Sequence, residues 1–119
     1  MPDIAVIDPQ AIDNLRALNP GDNDEFLREI VGIFLEDTPQ RIAELDQSLR
    51  AGDVPKFTRA AHSIKGSSAN LGATPLRIVA ESLEHESRTN GLGQVTAHVE
   101  AVKAEFARAK TELDKLLQK

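Results

Sequence analysis

The stretch Ala60-Ala61-His62-Ser63-Ile64-Lys65-Gly66-Ser67-Ser68-Ala69-Asn70-Leu71-Gly72 brings three residues together that could do chemistry. On a helix, at about 100° per residue, Phe57, Ala60, Ala61, Ile64, Ser68 and Leu71 gather within roughly 60° either side of one direction, the spacing of a buried stripe. His62 points about 140° away from that stripe, so its imidazole faces solvent. Lys65 at i+3 and Gly66 at i+4 are its neighbours one turn on, with Ala69 two turns on. A glycine inside a helix costs roughly 1 kcal/mol against alanine, so an unforced helix would not carry one. Here it clears space over the ring, as a site approached by another molecule requires.

A second group reaches the same place through the hairpin that follows. Its turn is centred near Ala73, so residue x lies roughly level with residue 146 − x on the next helix. His62 is then level with Glu84, Lys65 with Glu81, and Thr58 with Arg88. Glu84 lies about 80° from the centre of its helix's buried stripe and Arg88 about 120°, both on its shoulder. A carboxylate there can accept the Nδ1–H of the imidazole, which fixes the tautomer and leaves the Nε2 lone pair as the nucleophile. The competing reading makes Glu84 an i,i+4 partner of Arg88 on a solvated face.

These residues need a rigid frame, and the sequence supplies helices. At 119 residues the chain is expected to form one domain, residues 1–119, with one modest core. Ala, Leu, Glu and Arg are abundant and β-branched alternation is missing. Asp8-Pro9 opens a short helix carrying Ile12 and Leu15, which Asn19-Pro20-Gly21 stops. Asp22 or Asn23 caps a long helix with apolar positions from Leu27 to Leu49. Pro39 interrupts the backbone bonding of that helix but not its apolar phase, so a kink near Glu36 is expected rather than a break. Gly52 ends it as a left-handed cap, Asp53 caps the central helix, Thr74-Pro75 opens the next, and Asn90-Gly91 closes that one. A last helix carries Val95, Val99, Val102, Phe106, Ala109, Leu113 and Leu116. Short connections favour antiparallel neighbours, so the expected fold is all-α: an antiparallel up-down four-helix bundle with a short extra N-terminal helix.

Composition excludes several classes of function. A net charge of −5, no Trp or Tyr and only four Phe argue against nucleic acid as a partner. With no cysteine there is neither a disulfide framework nor a thiolate metal site. The first residues lack the basic start and apolar run of a signal peptide, and no stretch approaches the roughly 18 apolar residues of a membrane span. A cytoplasmic, monomeric protein without a membrane segment is expected, and Met1 with compact ends suits a free-standing one. No Gly-x-x-x-x-Gly-Lys-Ser/Thr loop is present to hold ATP, and no acidic cluster suits Mg²⁺. The domain is therefore not expected to be a kinase by itself.

The motif His62-x-x-Lys65-Gly66-Ser67-Ser68-Ala69-x-Leu71-Gly72 resembles the signature of histidine-containing phosphotransfer (HPt) domains. The resemblance covers nearly the whole chain in helix order, including Phe34-Leu35-Glu36-Asp37-Thr38-Pro39, with the central motif as its specific part. It implies a phosphoryl carrier in a multistep two-component phosphorelay. His62 would take a phosphoryl group on Nε2 from a phospho-aspartate and pass it to another, Lys65 would offset phosphoryl charge, and Gly66 would admit the partner's active-site loop. The position of Glu84 is glutamine in many members of the family and glutamate in its chemotaxis-kinase branch. Implied partners are receiver domains of response regulators and a sensor or hybrid histidine kinase. No cofactor is expected on this chain, the Mg²⁺ being carried by the receiver.

Around His62, Arg59, Ala69 and Arg88 are the residues expected to meet the partner. The front helix is expected to lie over the end of the bundle near His62, leaving part of Ala11, Ile12 and Leu15 available to it. The rival class of function is a helical adaptor that binds a partner without covalent chemistry. A metal-dependent hydrolase fails for want of ligands: His85 points about 180° from its helix's buried stripe and His98 flanks the last stripe, where partial burial is expected, so neither converges with His62.

Overall fold

The computed structural model describes residues 5–117. The expectations that rest on Met1 and the extreme ends lie outside them. Five helices follow one another: α1 (Pro9–Leu18), α2 (Glu25–Ala51), α3 (Val54–Leu71), α4 (Thr74–Asn90) and α5 (Thr96–Leu117), with no strand among the described residues.

Each boundary has a chemical cause. The Asp8 side chain accepts the Gln10 N–H at 3.0 Å, with Pro9 at the first helical position, where its missing N–H would be unpaired anyway. At the start of α2 it is Asp22 whose carboxylate accepts a backbone N–H, that of Phe26 at 3.0 Å, although Asp24 is the residue that immediately precedes the helix. The helix runs unbroken through Pro39. Gly52 ends it at φ 69°, in the left-handed region where glycine alone has no steric penalty, and Asp53 caps α3 through the Lys56 N–H at 3.2 Å.

α2 packs on α3 and α5, and α4 on α3 and α5, which closes the four long helices into a bundle. Each contributes one stripe to a single apolar cluster. The α3 stripe is the one its periodicity requires: Phe57, Ala60, Ala61, Ile64, Ser68 and Leu71 are all buried. Phe34 of α2 and Phe106 of α5 close the other side with ring centroids 5.6 Å apart, tilted by 51°.

The front helix departs from expectation. α1 packs on α2 and α3, but at the end where α3 turns into α4: the Asp8 N–H donates to the Gly72 carbonyl at 2.8 Å. His62 lies ten residues back along α3, about 15 Å along the helix axis. Ile12 is only 1% exposed and belongs to the core, so it offers no surface to a partner, and Ala11 and Leu15 are half-buried. The apolar face that a ten-residue helix cannot bury alone is spent on closing the bundle end. A salt bridge from Arg16 Nε to Asp24 Oδ1, 3.0 Å, ties α1 to the start of α2.

Candidate functional site

The outward face of α3 carries the imidazole. The His62 side chain is 64% exposed while its sequence neighbour Ala61 is fully buried, as a helix one residue off its buried stripe demands. Gly66 is exposed, and a Cβ built on it would meet nothing within 4 Å, so the space above the ring on the C-terminal side is open.

Glu84 of α4 organises everything else. Its Oε2 lies 2.9 Å from His62 Nδ1 and 2.8 Å from Arg88 Nη2, and its Oε1 lies 2.6 Å from Lys65 Nζ. An ionised carboxylate only accepts, so the imidazole proton is on Nδ1 and the Nε2 lone pair faces solvent. Behind it, the Thr58 and Ser87 hydroxyls pair at 2.7 Å, and Ser87 Oγ donates to the Glu84 carbonyl at 3.2 Å. These contacts pin α3 to α4 one turn below the imidazole.

The expected register across the hairpin holds for His62 and Glu84. It does not hold for Lys65, which reaches Glu84 and not Glu81; Glu81 instead pairs with Arg77 of its own helix at 3.2 Å. Side chains lean towards the N-terminus of their helix. In an antiparallel pair, Lys65 therefore leans towards the level of Glu84 while Glu84 leans towards the level of Lys65. Both readings of Glu84 contain a true part. It is the i,i+4 partner of Arg88, but the face is not solvated: its side chain is 6% exposed, covered by Lys65 and His62.

Burial is the largest single influence on the Glu84 carboxyl and pushes its pKa up. The hydrogen bonds from Lys65, His62 and Arg88, taken together, outweigh it and hold the group at about 2. The carboxylate is thus charged at neutral pH, and two cations face it. With a neutral imidazole the cluster of one anion and two cations carries one net positive charge. A lone carboxylate would repel any anion brought to the imidazole, and here that repulsion is already offset.

Arg59 is exposed and shares with Val54, Pro55, Thr58, His62, Glu84 and Arg88 the lining of a groove of about 520 Å³ on the N-terminal side of the imidazole. Ala69 is exposed two turns beyond His62. His85 is exposed on α4. His98 is exposed rather than partly buried, because the α5 stripe through Val99 and Val102 is too narrow to cover the residue beside it. Sequence reasoning missed the Thr58–Ser87 pair. Its signal was present in the hairpin register, which set Thr58 level with Arg88, one residue from the true partner.

Residues 29–118 match the model of the Hpt domain. The chain belongs to that family. Its 36% identity over 83 residues with the multistep phosphorelay regulator 1 of Schizosaccharomyces pombe covers 70% of this chain but 28% of that protein. The chain therefore spans little more than a quarter of the length of this curated relative. The crystal structure of histidine-containing phosphotransfer protein B from Pseudomonas aeruginosa superposes with a TM-score of 0.87 at 28% identity, over 98% of this chain and 97% of that one. That of histidine-containing phosphotransfer protein ZmHP2 from maize gives 0.82 at 23% identity, over 95% and 83%, a likeness of fold. Histidine phosphotransfer is accordingly the function of this HPt domain. Among the described residues no helix is long and apolar enough to cross a membrane.

Proposed function

We propose that this HPt domain carries the phosphoryl group on Nε2 of His62, exchanging it with aspartates of receiver domains. The observation that supports this reading best is the Nδ1 contact with Glu84, which leaves Nε2 as the free, outward-facing nucleophile. In the forward step the Nε2 lone pair attacks phosphorus, a P–N bond forms, the P–O bond to the donor aspartate breaks, and the aspartate oxygen leaves with the electron pair. Transfer onward is the reverse with a different aspartate.

Lys65 balances the incoming charge at one remove, through Glu84, and Gly66 leaves room for the receiver loop that bears the aspartate. Arg59 and Ala69 are exposed on the helix that carries His62 and form its docking surface; Ala11 packs at Gly72 beyond the end of α3, Leu15 is half-buried, and Ile12 is excluded by burial. The aspartate and its Mg²⁺ belong to the receiver, and the ATP-dependent step belongs to a kinase further back in the relay. We place the carrier, residues 1–119 as one domain, in the cytoplasm as a monomer.

The test is transfer from a phosphorylated receiver domain to the purified chain. The expected result is an acid-labile, base-stable label that His62→Gln abolishes while its helical circular dichroism is unchanged. Label surviving in that variant would remove the assignment.

A further inference from the structure

The sharing of one carboxylate oxygen by two donors gives Arg88 a part in the chemistry. We propose that Arg88 is a positioning residue for the phosphorylated state of His62: by occupying Oε2 of Glu84 together with the Nδ1–H, it weakens the carboxylate's hold on that proton and prolongs the life of the phosphohistidine. This rests on the reading of His62 as the acceptor.

The geometry is unequal on the two carboxylate oxygens. Oε1 serves Lys65 alone at 2.6 Å, whereas Oε2 serves both His62 Nδ1 at 2.9 Å and Arg88 Nη2 at 2.8 Å. Arg88 is otherwise free, with its side chain 66% exposed and lining the groove beside the imidazole. A phosphoimidazole loses its phosphoryl group most readily when Nδ1 is protonated. The P–N bond then breaks with its electron pair returning to Nε2, and the leaving group is a neutral imidazole that keeps the Nδ1 proton. The phosphorus is taken by an aspartate oxygen in transfer, or by water, which releases a proton to solvent, in hydrolysis. A bare carboxylate on Nδ1–H stabilises the protonated form and so hastens loss. A guanidinium on the same oxygen draws off that charge, and because Arg88 lines the same groove as the imidazole it adds positive charge beside a phosphoryl group carried there. Both effects act in one direction, towards a longer-lived carrier. Lys65, on the other oxygen, does not compete with the imidazole for its acceptor.

Spontaneous loss of phosphoryl from the phosphorylated chain, followed by ³¹P NMR for wild type, Arg88→Ala and Arg88→Lys, reads the effect. The Nδ1–H resonance of the unphosphorylated chain reads the same contact without any phosphorylation. An ion pair with one exposed partner, discounted for solvent screening, is worth enough for about a two- to fivefold change in rate. Arg88→Ala is expected to lose phosphoryl faster by that factor, and its Nδ1–H signal to move downfield and exchange more slowly. Arg88→Lys is expected to fall between Arg88→Ala and wild type. A lifetime in Arg88→Ala equal to or longer than wild type, or an unchanged Nδ1–H signal, would overturn the proposal. Phosphorylation found away from His62 would defeat the acceptor reading separately, and the Nδ1–H comparison would still decide whether Arg88 competes for Glu84.

Discussion

Lys65 Nζ lies 2.6 Å from Oε1 of Glu84, so the cation expected to answer a phosphoryl group is already paired with a buried carboxylate before any phosphoryl group arrives. On the proposed assignment of His62, charge on the phosphohistidine would be balanced by a cluster, not by a single lysine. Removing Glu84 would leave Lys65 and Arg88 without their shared carboxylate, whereas removing Lys65 would leave Arg88 and His62 to hold the carboxylate alone.

The carboxylate makes a pH-dependent contribution to stability whose sign follows from its depressed pKa. Folded, Glu84 titrates at about 2; unfolded, it returns to the ordinary value of 4.5. Above that value both states are ionised and the full contribution is present. It is lost as pH falls from about 4.5 through 2, where the unfolded state binds the proton first. Urea unfolding of wild type and Glu84→Gln across this range is the check. The part of the wild-type advantage that comes from the carboxylate's charge should be complete above about pH 5.5 and shrink steadily below 4.5. An advantage independent of pH would contradict the cluster.

Gly66 separates access from folding. A Cβ there meets nothing within 4 Å, so Gly66→Ala should fold normally and gain up to about 1 kcal/mol from helix propensity. Gly66→Gln should fold as well but slow transfer from a receiver by about tenfold or more, since small displacements of reacting groups are costly. Unimpaired transfer in Gly66→Gln would show that clearance is not its role.

Gly72 behaves in the opposite way. Its φ is +69°, and a Cβ would lie 2.6 Å from Ala11 Cβ and 2.9 Å from Asp8 Cβ, neither of which can swing aside. Gly72→Ala should cost more than about 2 kcal/mol and release α1 from the α3–α4 turn. Urea unfolding and hydrogen exchange over residues 8–18 measure the two effects.

Ile12→Asp tests the corrected position of the front helix. A charge at a site 1% exposed should destabilise the fold by more than about 3 kcal/mol, seen as a lowered Tm. Were Ile12 a docking residue, the same change would weaken receiver binding and leave Tm alone.

Much of this was legible in the sequence because it depends on local periodicity. The α3 stripe, the outward imidazole, the caps at Asp8, Gly52 and Asp53, and the pairing of His62 with Glu84 all follow from counting along one helix or across one short turn. What escaped depends on how separate elements lean on one another. The burial of Glu84 arises from Lys65 and His62 of α3 folding over a shoulder position, which no wheel of α4 displays. The place of α1 is set by a backbone bond from Asp8 to Gly72, sixty-four residues apart in sequence. Exposure of His98 reflects the width of a stripe, which only the packed bundle decides.

The most direct measurement is a ¹⁵N NMR spectrum of the histidine rings before and after phosphoryl transfer from a receiver domain. The chain has three histidines, so every candidate acceptor is visible at once. The expected result is a change in one ring alone, with Nε2 of His62 phosphorylated and Nδ1 still protonated towards Glu84. Phosphorylation of His85 or His98, or of Nδ1 of His62, would contradict the proposed site, and a receiver that binds without labelling any ring would make the chain an adaptor instead.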